Sequence, residues 1–553
     1  MSPPHVAVVG AGWGGWGAAK ALLENGCKVT LLDALPDPCG ETPYLTPSGK
    51  PFEAGTRGFW KDYPNIEALV SSLGLDEDEV FTPFTNSSFY SPDGLEATAP
   101  VFSATGLPEL PSPIGQVLAT FALFERIPVS DRVTMLGLLY AMLDFTRSEE
   151  TFEKYDRMTA HELFIRMGLS QRLVDDFVRP TLLVGLFKPP EELSAAVAME
   201  LLYFYALAHQ TSFDVRWIKD RTIAQAIIAP LSKALSELPL PELSGPAQES
   251  VPAQDVEGSL SALNVIGGAR VSAIEVGDGG QVRRLRFMRN GEQVQLDDLD
   301  ACVLALGAKG LKAVMGSSPT LARAAPELCR ASALGGIDVV SVRLWLDKTV
   351  PTRSPANVFS KFEALRGAGG TFFMLDQLQT ESNLWGGAQP QGSVVACDFY
   401  NAGAILPLPD EDIVALLMQQ LLPCAVPGFG EAAVVDSYVQ KYPQAVTWFS
   451  PGSFTSRPPL QTSVPNLVCA GDWVRMGARE HGAKGLCQER ALVSGYEAAN
   501  ALARSGVLGD AHSAEHEVIA IRPDEPQVVA ARELNRRGMD ALSRFGLSSP
   551  WVR

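Results

Sequence analysis

The fold is decided by the segment HVAVVGAGWGG, residues 5–15. Its first half, His5–Val9, is an unbroken apolar run that is typical of a strand buried in a parallel sheet. The second half satisfies GxGxxG, and a helix rich in Ala and Leu follows to about Glu24, with Asn25-Gly26 as its C-cap. A second apolar strand then ends on Asp33. This order of elements predicts a Rossmann-type βαβ unit that binds a dinucleotide.

Each glycine of the motif has a physical role in such a unit. Gly10 permits the tight turn, Gly12 lets the backbone approach a pyrophosphate, and Gly15 lets helix and strand pack closely. The helix N-terminus offers free N–H groups to that anion. Asp33 is placed to bind ribose hydroxyls and disfavours a 2′-phosphate, which favours FAD or NAD over NADP. The predicted dinucleotide contacts are Gly10, Ala11, Gly12, Trp13, Gly14, Gly15, Asp33 and Ala34.

Composition excludes several other classes of protein. The 553 residues suggest roughly three to four domains or one large composite fold, and a net charge of −18 argues against a nucleic-acid partner. No apolar run reaches the roughly 20 residues that cross a bilayer. The eight cysteines form no CxxC pair and the six histidines lack metal-binding partners, so we expect no metal site, no disulfide framework and a reducing compartment. Because the first strand begins at about His5, we expect no secretory signal or transit peptide before it.

Two further stretches select FAD. One is FEAGTRGFW at residues 52–60, and the other runs from NLVCAGDW at 466–473 to ERALVSG at 489–495. A strand that delivers Gly-Asp to a loop before a small-residue helix resembles the FAD-binding C-terminus of the flavin amine oxidase and carotenoid desaturase superfamily. The resemblance implies that the Asp contacts the ribityl–pyrophosphate region and that the helix N-terminus points towards the flavin. The implied cofactor contacts are Gly55, Thr56, Arg57, Gly471, Asp472, Glu489 and Ala491.

The middle of the chain agrees with this resemblance. Residues 269–276, a Gly-Asp-Gly-Gly turn and residues 282–288 predict a β-hairpin, and residues 300–307 predict another buried strand. In the family this block returns the chain to the FAD domain, which implies Val271 at the adenine and Ala305 under the cofactor.

The chain departs from the family at one place. Many relatives carry Gly-Gly-Arg after the second strand, where the Arg supports the cofactor phosphates, whereas this chain has PCGET at residues 38–42. Either Arg57 or backbone groups then take over that role, or the local FAD contacts differ.

The expected fold class is therefore α/β, with a Rossmann-type FAD-binding domain of the amine oxidase/desaturase fold and an interleaved α+β substrate-binding domain. The three FAD-binding parts are expected at residues 1–85, 241–315 and 456–505. A helical substrate or cap domain (86–240) and a second substrate part (316–455) separate them. The tail at 506–553 carries one plausible helix after Pro526 and is expected to dock on the domain or on a partner.

Helical patterns fill the first insertion, around residues 115–125, 130–145, 159–167 and 191–208. Thr159 begins a capping box with Glu162. Pro189-Pro190, followed by Glu191 and Glu192, predicts a helix start. Aromatic residues then become dense, and the predicted substrate-pocket residues are Tyr203, Tyr205, His209 and Trp217. Residues 180–194, 201–210 and 213–217 resemble the carotenoid desaturases, in the branch of phytoene, ζ-carotene and β-carotene desaturases.

This resemblance implies a chemistry. A desaturase of this type removes hydride from an unactivated C–H bond to flavin N5, and a quinone or oxygen reoxidises the flavin. The flavin itself carries the hydride, and no catalytic side chain is assigned. A hydrophobic polyene substrate would leave a bilayer, so a peripheral membrane contact is expected, through helices 115–125 and 133–143. The family places such proteins in a plastid, with the cytoplasm as the other compartment considered.

Three alternatives remain open at this point. The first is a flavin amine oxidase that oxidises C–N bonds with oxygen as acceptor. The second is a non-redox flavoprotein in which FAD catalyses carotenoid isomerisation. The third is a non-catalytic scaffold held together by FAD. Product analysis separates these from a desaturase, since they give an aldehyde with hydrogen peroxide, isomers of equal mass, or no turnover.

Overall fold

A computed structural model describes residues 3–105, 108–121, 124, 126–238, 261–380, 383–483 and 486–546, and it confirms the α/β class. The strands, in chain order, are β1 His5–Val9, β2 Lys28–Leu32, β3 Phe59–Trp60, β4 Ser87–Ser91, β5 Gly94–Ala99, β6 Val215–Arg216, β7 Leu263–Ile266, β8 Arg270–Val276, β9 Val282–Arg289, β10 Glu292–Leu296, β11 Ala301–Leu304, β12 Gly336–Leu346, β13 Ala356–Phe359, β14 Gly369–Met374, β15 Val394–Tyr400, β16 Val434–Thr447 and β17 Leu467–Cys469.

The helices are α1 Trp13–Glu24, α2 Pro64–Ser72, α3 Glu77–Val80, α4 Ile114–Phe121, α5 Val129–Val133, α6 Met135–Asp144, α7 Glu149–Asp156, α8 Ala160–Arg166, α9 Gln171–Leu173, α10 Arg179–Leu186, α11 Ala195–Ala206, α12 Ala229–Ser236, α13 Ala308–Gly316, α14 Pro319–Ala324, α15 Pro326–Ser332, α16 Leu375–Leu378, α17 Asp410–Leu416, α18 Leu422–Ala425, α19 Gln488–Ser505 and α20 Pro526–Ser543. None of these described helices is long and apolar enough to span a bilayer.

The described residues place the predicted Rossmann unit in a five-stranded sheet of order β17-β11-β1-β2-β7. All neighbouring strands in it are parallel, and Val9 lies beside Leu32 on β2 and Leu304 on β11. The sheet therefore brings together strands from the start, the middle and the end of the chain.

Helices α1 and α19 cross in close contact beside this sheet. A Cβ atom at Gly17 would lie 2.5 Å from the carbonyl oxygen of Leu492, and one at Gly495 would lie 2.2 Å from the carbonyl oxygen of Gly14. Only residues without a side chain permit this approach, since real Cβ atoms do not come within 3.0 Å of such neighbours. Glycines on both helices thus dock the C-terminal segment onto the Rossmann unit.

A second sheet, of seven strands in the described residues, has the order β16-β12-β15-β14-β13-β4-β5. It combines β4 and β5, which lie in the predicted part 86–240, with five strands of the predicted part 316–455. Its apolar core includes Phe372, Phe399 and Phe429. The domain limits themselves stay a prediction, and the limit at 240/241 falls outside the described residues.

The predicted hairpin and the strand after it are confirmed as β8, β9 and β11. Its turn is closed by the bond from Gly277 N–H to the carbonyl of Gln281, at 2.9 Å. The hairpin continues into β10, a third strand that the sequence patterns do not predict.

The helices predicted in the first insertion correspond to α4, α5 with α6, α8 and α11, although residues 122, 123 and 125 of the first pattern lie outside the described residues. Thr159 caps α8, since its Oγ1 accepts from Glu162 N–H at 3.0 Å. The helix start predicted at Pro189-Pro190 is wrong, because α11 begins only at Ala195.

Long-range contacts explain this later start. The segment from Phe187 to Ser194 forms turns, and Phe187 itself has a left-handed φ of 62°. Ser194 N–H donates to the carbonyl of Phe449 at 3.0 Å, and Glu191 pairs with Arg179 at 2.7 Å. These contacts hold the side chain of Glu191 and the backbone of Ser194 in positions outside a helix.

The C-terminal tail docks on the domain, and α20 confirms the helix predicted after Pro526. Ile519 N–H donates to Asn65 Oδ1 at 2.9 Å, and Arg532 donates to the carbonyl of Phe145 at 2.7 Å. Ser112 N–H donates to Glu525 at 2.7 Å. The tail thus connects the first FAD-binding segment with the helical insertion.

Candidate flavin site and adjoining cavities

The glycine turn between β1 and α1 forms an open cradle at a helix N-terminus. Gly10 has a φ of +103°, and a Cβ atom there would lie 2.3 Å from the carbonyl oxygen of Ala305. A Cβ atom at Gly15 would lie 1.8 Å from the carbonyl oxygen of Gly10, whereas one at Gly12 would meet nothing within 4 Å. Two glycines therefore serve the fold, and Gly12 borders open space. The first turn of α1 carries no acidic residue, so this end of the helix suits an anion.

The second glycine motif lies directly beside the first. A Cβ atom at Gly14 would lie 3.1 Å from the amide nitrogen of Gly471 and 3.2 Å from the carbonyl oxygen of Ala491. Gly471 has a φ of +133°, and its N–H donates to Ser494 Oγ on α19 at 2.7 Å. The N-termini of α1 and α19 and the Gly471-Asp472 turn thus surround one site, although the motifs lie at opposite ends of the sequence.

Asp33 closes the side of this site at the end of β2. Its Oδ2 accepts from Ala11 N–H and its Oδ1 from Leu35 N–H, both at 2.7 Å. Ala34, next to it, is exposed. The backbone carbonyl of Asp33 accepts from Ala269 N–H at 2.7 Å, which brings the β8 hairpin and the buried Val271 to this end of the sheet. The predicted ribose and adenine contacts therefore lie on adjacent segments.

Arg490, which the sequence patterns miss, fixes the Gly471-Asp472 turn. Its guanidinium donates to the backbone carbonyl of Asp472, to that of Val474 at 2.9 Å, and to Glu480 at 2.6 Å. Burial raises the pKa of the Asp472 carboxyl to about 6, although the Arg490 charge opposes this shift. The only local signal for Arg490 was its position between the predicted contacts Glu489 and Ala491.

Glu489, on α19, contacts the N-terminus of α2. Its two oxygens accept from the N–H groups of Asn65 and Ile66, each at 3.0 Å, and from Asn65 Nδ2 at 2.7 Å. Burial raises the pKa of this carboxyl to about 7. The geometry makes Glu489 a positioning residue that ties α19 to α2.

A cavity of about 430 Å³ lies beside the predicted contacts Gly55, Thr56 and Arg57, all of which line it. Arg57 is exposed in it. Trp13, from the first motif, packs edge-on against Phe59 with the ring centroids 6.3 Å apart, so the start of α1 contacts the segment that follows Gly55–Arg57.

Charged groups that the sequence patterns do not predict lie at this cavity: Glu53 and Arg343 line it, and the buried Asp398 lies behind Thr56. Asp398 accepts from Thr56 N–H at 3.2 Å and from Ser341 Oγ at 2.6 Å, while Arg343 donates to the backbone carbonyl of Glu53 at 3.2 Å. Burial lowers the pKa of Arg343 to about 10 and raises those of Glu53 and Asp398. Arg343 lies on β12 and Asp398 on β15, far in sequence from the 52–60 stretch that contains Glu53, so no local pattern could have signalled this grouping.

A smaller, mainly apolar cavity of about 110 Å³ lies between the second sheet and α10–α11, and the predicted residues Tyr205 and Trp217 line it. Trp217 also lines the larger cavity, and its Nε1–H donates to Thr85 Oγ1 at 2.7 Å. The indole is thus the shared wall of the two spaces.

The other two predicted pocket residues lie elsewhere. The hydroxyl of Tyr203 bonds Asp524, and His209 Nε2 lies 2.9 Å from the carbonyl oxygen of Pro523. Both therefore contact the C-terminal tail, and neither lines either of the two cavities described above. Within the described residues, no group of three or more His, Cys, Asp or Glu side chains could hold a metal ion.

A parallel sheet, a glycine cradle at α1 and a second glycine turn before α19 together define an FAD-binding oxidoreductase. Residues 15–503 match the family described as flavin containing amine oxidoreductase, and the chain belongs to this family. FAD is its cofactor, as the predicted motifs indicated.

Curated relatives are distant but extend over most of the chain. A 15-cis-phytoene desaturase of Synechococcus elongatus is 24% identical over 476 residues, which cover 85% of this chain and 90% of the relative. A carotenoid phi-ring synthase of Streptomyces griseus is 26% identical over 536 residues, with 92% and 89% covered.

Solved structures support the fold alone. A double mutant of putrescine oxidase matches with a TM-score of 0.61 at 15% identity, covering 91% of this chain and all of that one. A putative protoporphyrinogen oxidase of Exiguobacterium matches with a TM-score of 0.54 at 14% identity, covering 90% and 97%.

Proposed function

We propose that this chain is a carotenoid desaturase-like enzyme that removes hydride from a C–H bond of a hydrophobic polyene. The observation that carries the proposal is the pair of cavities that share Trp217. One is lined by the predicted flavin contacts Gly55, Thr56 and Arg57, and the other is mainly apolar. An alkene-forming oxidation needs an apolar space that adjoins the flavin, and the relatives named for phytoene desaturation and phi-ring synthesis support this substrate class.

The chain's own residues would hold and orient the cofactor. The amide groups at Gly12 and the α1 N-terminus would bind the pyrophosphate, Asp33 would bind a ribose, and the turn held by Arg490 would lie against the ribityl chain. When bound, FAD supplies a hydride acceptor, which takes up two electrons and one proton. The protein then mainly positions the substrate and excludes water, as Trp217, Tyr205 and Phe373 would do in the apolar cavity.

Amine oxidation with oxygen is the second candidate. Glu53 lines the larger cavity and Asp398 lies behind Thr56, so acidic groups are close to the place where an ammonium would bind. Arg57 and Arg343 are close to both acids and offset their charge, which favours the desaturase. An isomerase or a scaffold remains an outcome of the same experiment.

A polyene substrate would reach the protein from a membrane, and exposed apolar side chains indicate which surface would contact that membrane. Exposed apolar side chains are frequent on α4, α5 and α6: Ile114, Val117, Leu118, Val129, Val133 and Leu136. We propose that these helices form a peripheral membrane contact, with a quinone or oxygen as the acceptor that reoxidises the flavin. A plastid or cytoplasmic location stays a prediction.

The test is anaerobic mixing of purified holoprotein with 15-cis-phytoene, with β-carotene or with putrescine, while the visible absorption of the oxidised flavin is followed. Bleaching by a polyene, with a product two hydrogens lighter, supports the proposal. Bleaching by putrescine alone would show that the protein is an amine oxidase instead of a desaturase. Polyene isomers of unchanged mass, formed without bleaching, would indicate an isomerase. No change with any of the three contradicts the proposed desaturation of these polyenes.

A further inference from the structure

The chain beyond α19 returns along that helix. The match to the family ends at residue 503, and residues 513–525, which we call the strap, contain no helix or strand. The strap first contacts the C-terminal half of α19, where His516 N–H donates to Asn500 Oδ1 at 2.7 Å and Asn500 Nδ2 donates to the His516 carbonyl at 3.0 Å. Its later residues contact the segments around the N-terminus of the same helix.

Asn65, near the start of α2, joins the strap to α19. Its Oδ1 accepts from Ile519 N–H at 2.9 Å, while its Nδ2 donates to the Ile519 carbonyl at 2.8 Å and to Glu489 on α19 at 2.7 Å. Because the strap occupies the amide oxygen, the amide nitrogen is turned towards Glu489. His481 Nε2 also lies 2.8 Å from the Ile519 carbonyl oxygen, and His481, Asn65 and Glu489 are all buried. Each of these hydrogen bonds is therefore costly to lose.

The strap also holds the segment that leads into α19. Ile521 lies against Gly482, where a Cβ atom would be 3.2 Å from Ile521 Cδ1. The carbonyl of Gly482 accepts from Arg147 at 2.9 Å, and the guanidinium of Arg147 lies 3.6 Å from the Asp524 carboxylate of the strap. Gly482 is thus held by the strap both directly and through Arg147 of the helical insertion.

Residues 480–482 connect these contacts to the Gly471-Asp472 turn. Glu480 accepts from Arg490 at 2.6 Å, and Arg490 donates to the backbone carbonyl of Asp472. The next two residues after Glu480 are His481 and Gly482, which contact the strap. Glu489 and the turn held by Arg490 are therefore both tied to a segment that lies outside the family match.

We infer that the strap is a positioning element of the FAD site and that it slows the release of the cofactor. It fixes Glu489 and residues 480–482, and with them the N-terminus of α19 and the Gly471-Asp472 turn that would face FAD. Without Ile519, the amide of Asn65 would be free to rotate, and Glu489 would lose a donor whose position the strap sets. This inference concerns cofactor retention and does not depend on the reaction proposed above.

The inference has a reciprocal consequence in the unchanged full chain. A strap that strengthens FAD binding must itself be stabilised when FAD binds, because coupling between two sites acts in both directions. Hydrogen–deuterium exchange of the protein with and without FAD measures this coupling. We expect FAD to slow exchange in residues 514–522 by about five- to ten-fold, the range that one buried hydrogen bond supplies. Exchange in α20 should not change, since Arg532 and Asn535 hold that helix against α6. Unchanged exchange in the strap, or equal slowing in α20, overturns the inference.

Two variants of one residue test the contact with Asn65. Ile519→Pro removes the N–H group from which Asn65 accepts, and it should speed FAD dissociation by about five- to ten-fold. Ile519→Ala is the matched control, because it keeps that N–H group and shortens a side chain that is 40% exposed. It should release FAD at the rate of the unchanged protein, as measured by the rise of flavin fluorescence after dilution. Equal rates in the two variants overturn the inference.

A second variant keeps the test decisive if Ile519→Pro folds poorly. Arg522 donates to Asp62 at 2.9 Å and to the hydroxyls of Thr211 and Ser212 at 3.1 Å, so it fastens the strap to the domain. Arg522→Met should also speed FAD dissociation while the melting temperature of the apoprotein stays close to that of the unchanged protein. Faster release that occurs only together with a lower melting temperature of the apoprotein gives the strap a purely structural role and overturns the inference.

Discussion

Substitution of Gly12 by Ala should separate cofactor binding from folding. A Cβ atom at Gly12 meets nothing within 4 Å, and its φ of −74° is ordinary, so the apoprotein should lose at most about 1 kcal/mol from the N-cap position. The same Cβ would occupy space beside the α1 amides where the pyrophosphate would lie. Loss of one or two charge-assisted hydrogen bonds, at about 1.5 kcal/mol each, lowers the FAD affinity by about 10- to 150-fold.

The assay is titration of apoprotein with FAD, followed by flavin fluorescence, together with thermal unfolding of the apoprotein. Gly316→Ala is the matched control, because a Cβ there also meets nothing and the residue ends α13 away from the cradle. Gly15→Ala should instead damage the fold, since its Cβ would lie 1.8 Å from the carbonyl oxygen of Gly10. If a folded Gly12→Ala protein binds FAD as tightly as the unchanged protein, the cradle is wrongly placed.

The remaining predictions concern the turn, the wall between the cavities, and buried charge. Arg490→Met leaves the carbonyls of Asp472 and Val474 without their donor and should lower the free energy of unfolding by about 3–5 kcal/mol, measured by urea denaturation, and FAD affinity with it. Trp217→Ala should join the two cavities and change the preferred substrate length in the bleaching assay, whereas Trp448→Ala should not. Burial raises the pKa of Glu200 to about 7, so its folded form holds the proton more tightly than the unfolded chain, and stability should fall as the pH rises from about 4.5 to 7. In Glu200→Gln, the melting temperature should fall less over this pH range. An equal fall in the variant would contradict the raised pKa of Glu200.

The Rossmann unit is largely readable from the chain itself. Apolar strands, turn glycines and Asn25-Gly26 are local signals, because each reports the conformation of its own few residues. They located β1, α1 and β2, and the same reasoning located the β8–β9 hairpin. The helix start at Pro189-Pro190 failed for the opposite reason, because Ser194 is bonded to Phe449, far along the chain.

The residues of the site also fall into two groups, those that the sequence predicts and those that only the tertiary structure brings together. Gly12 and Asp472 stand in motifs whose spacing carries the chemistry, so they could be named in advance. The shared wall at Trp217, the charges of Arg343 and Asp398 beside the larger cavity, and the contact of the tail with Tyr203 arise only when distant segments pack together. A side chain's surroundings depend on contacts between segments that share no local pattern, and folding alone brings those segments into contact.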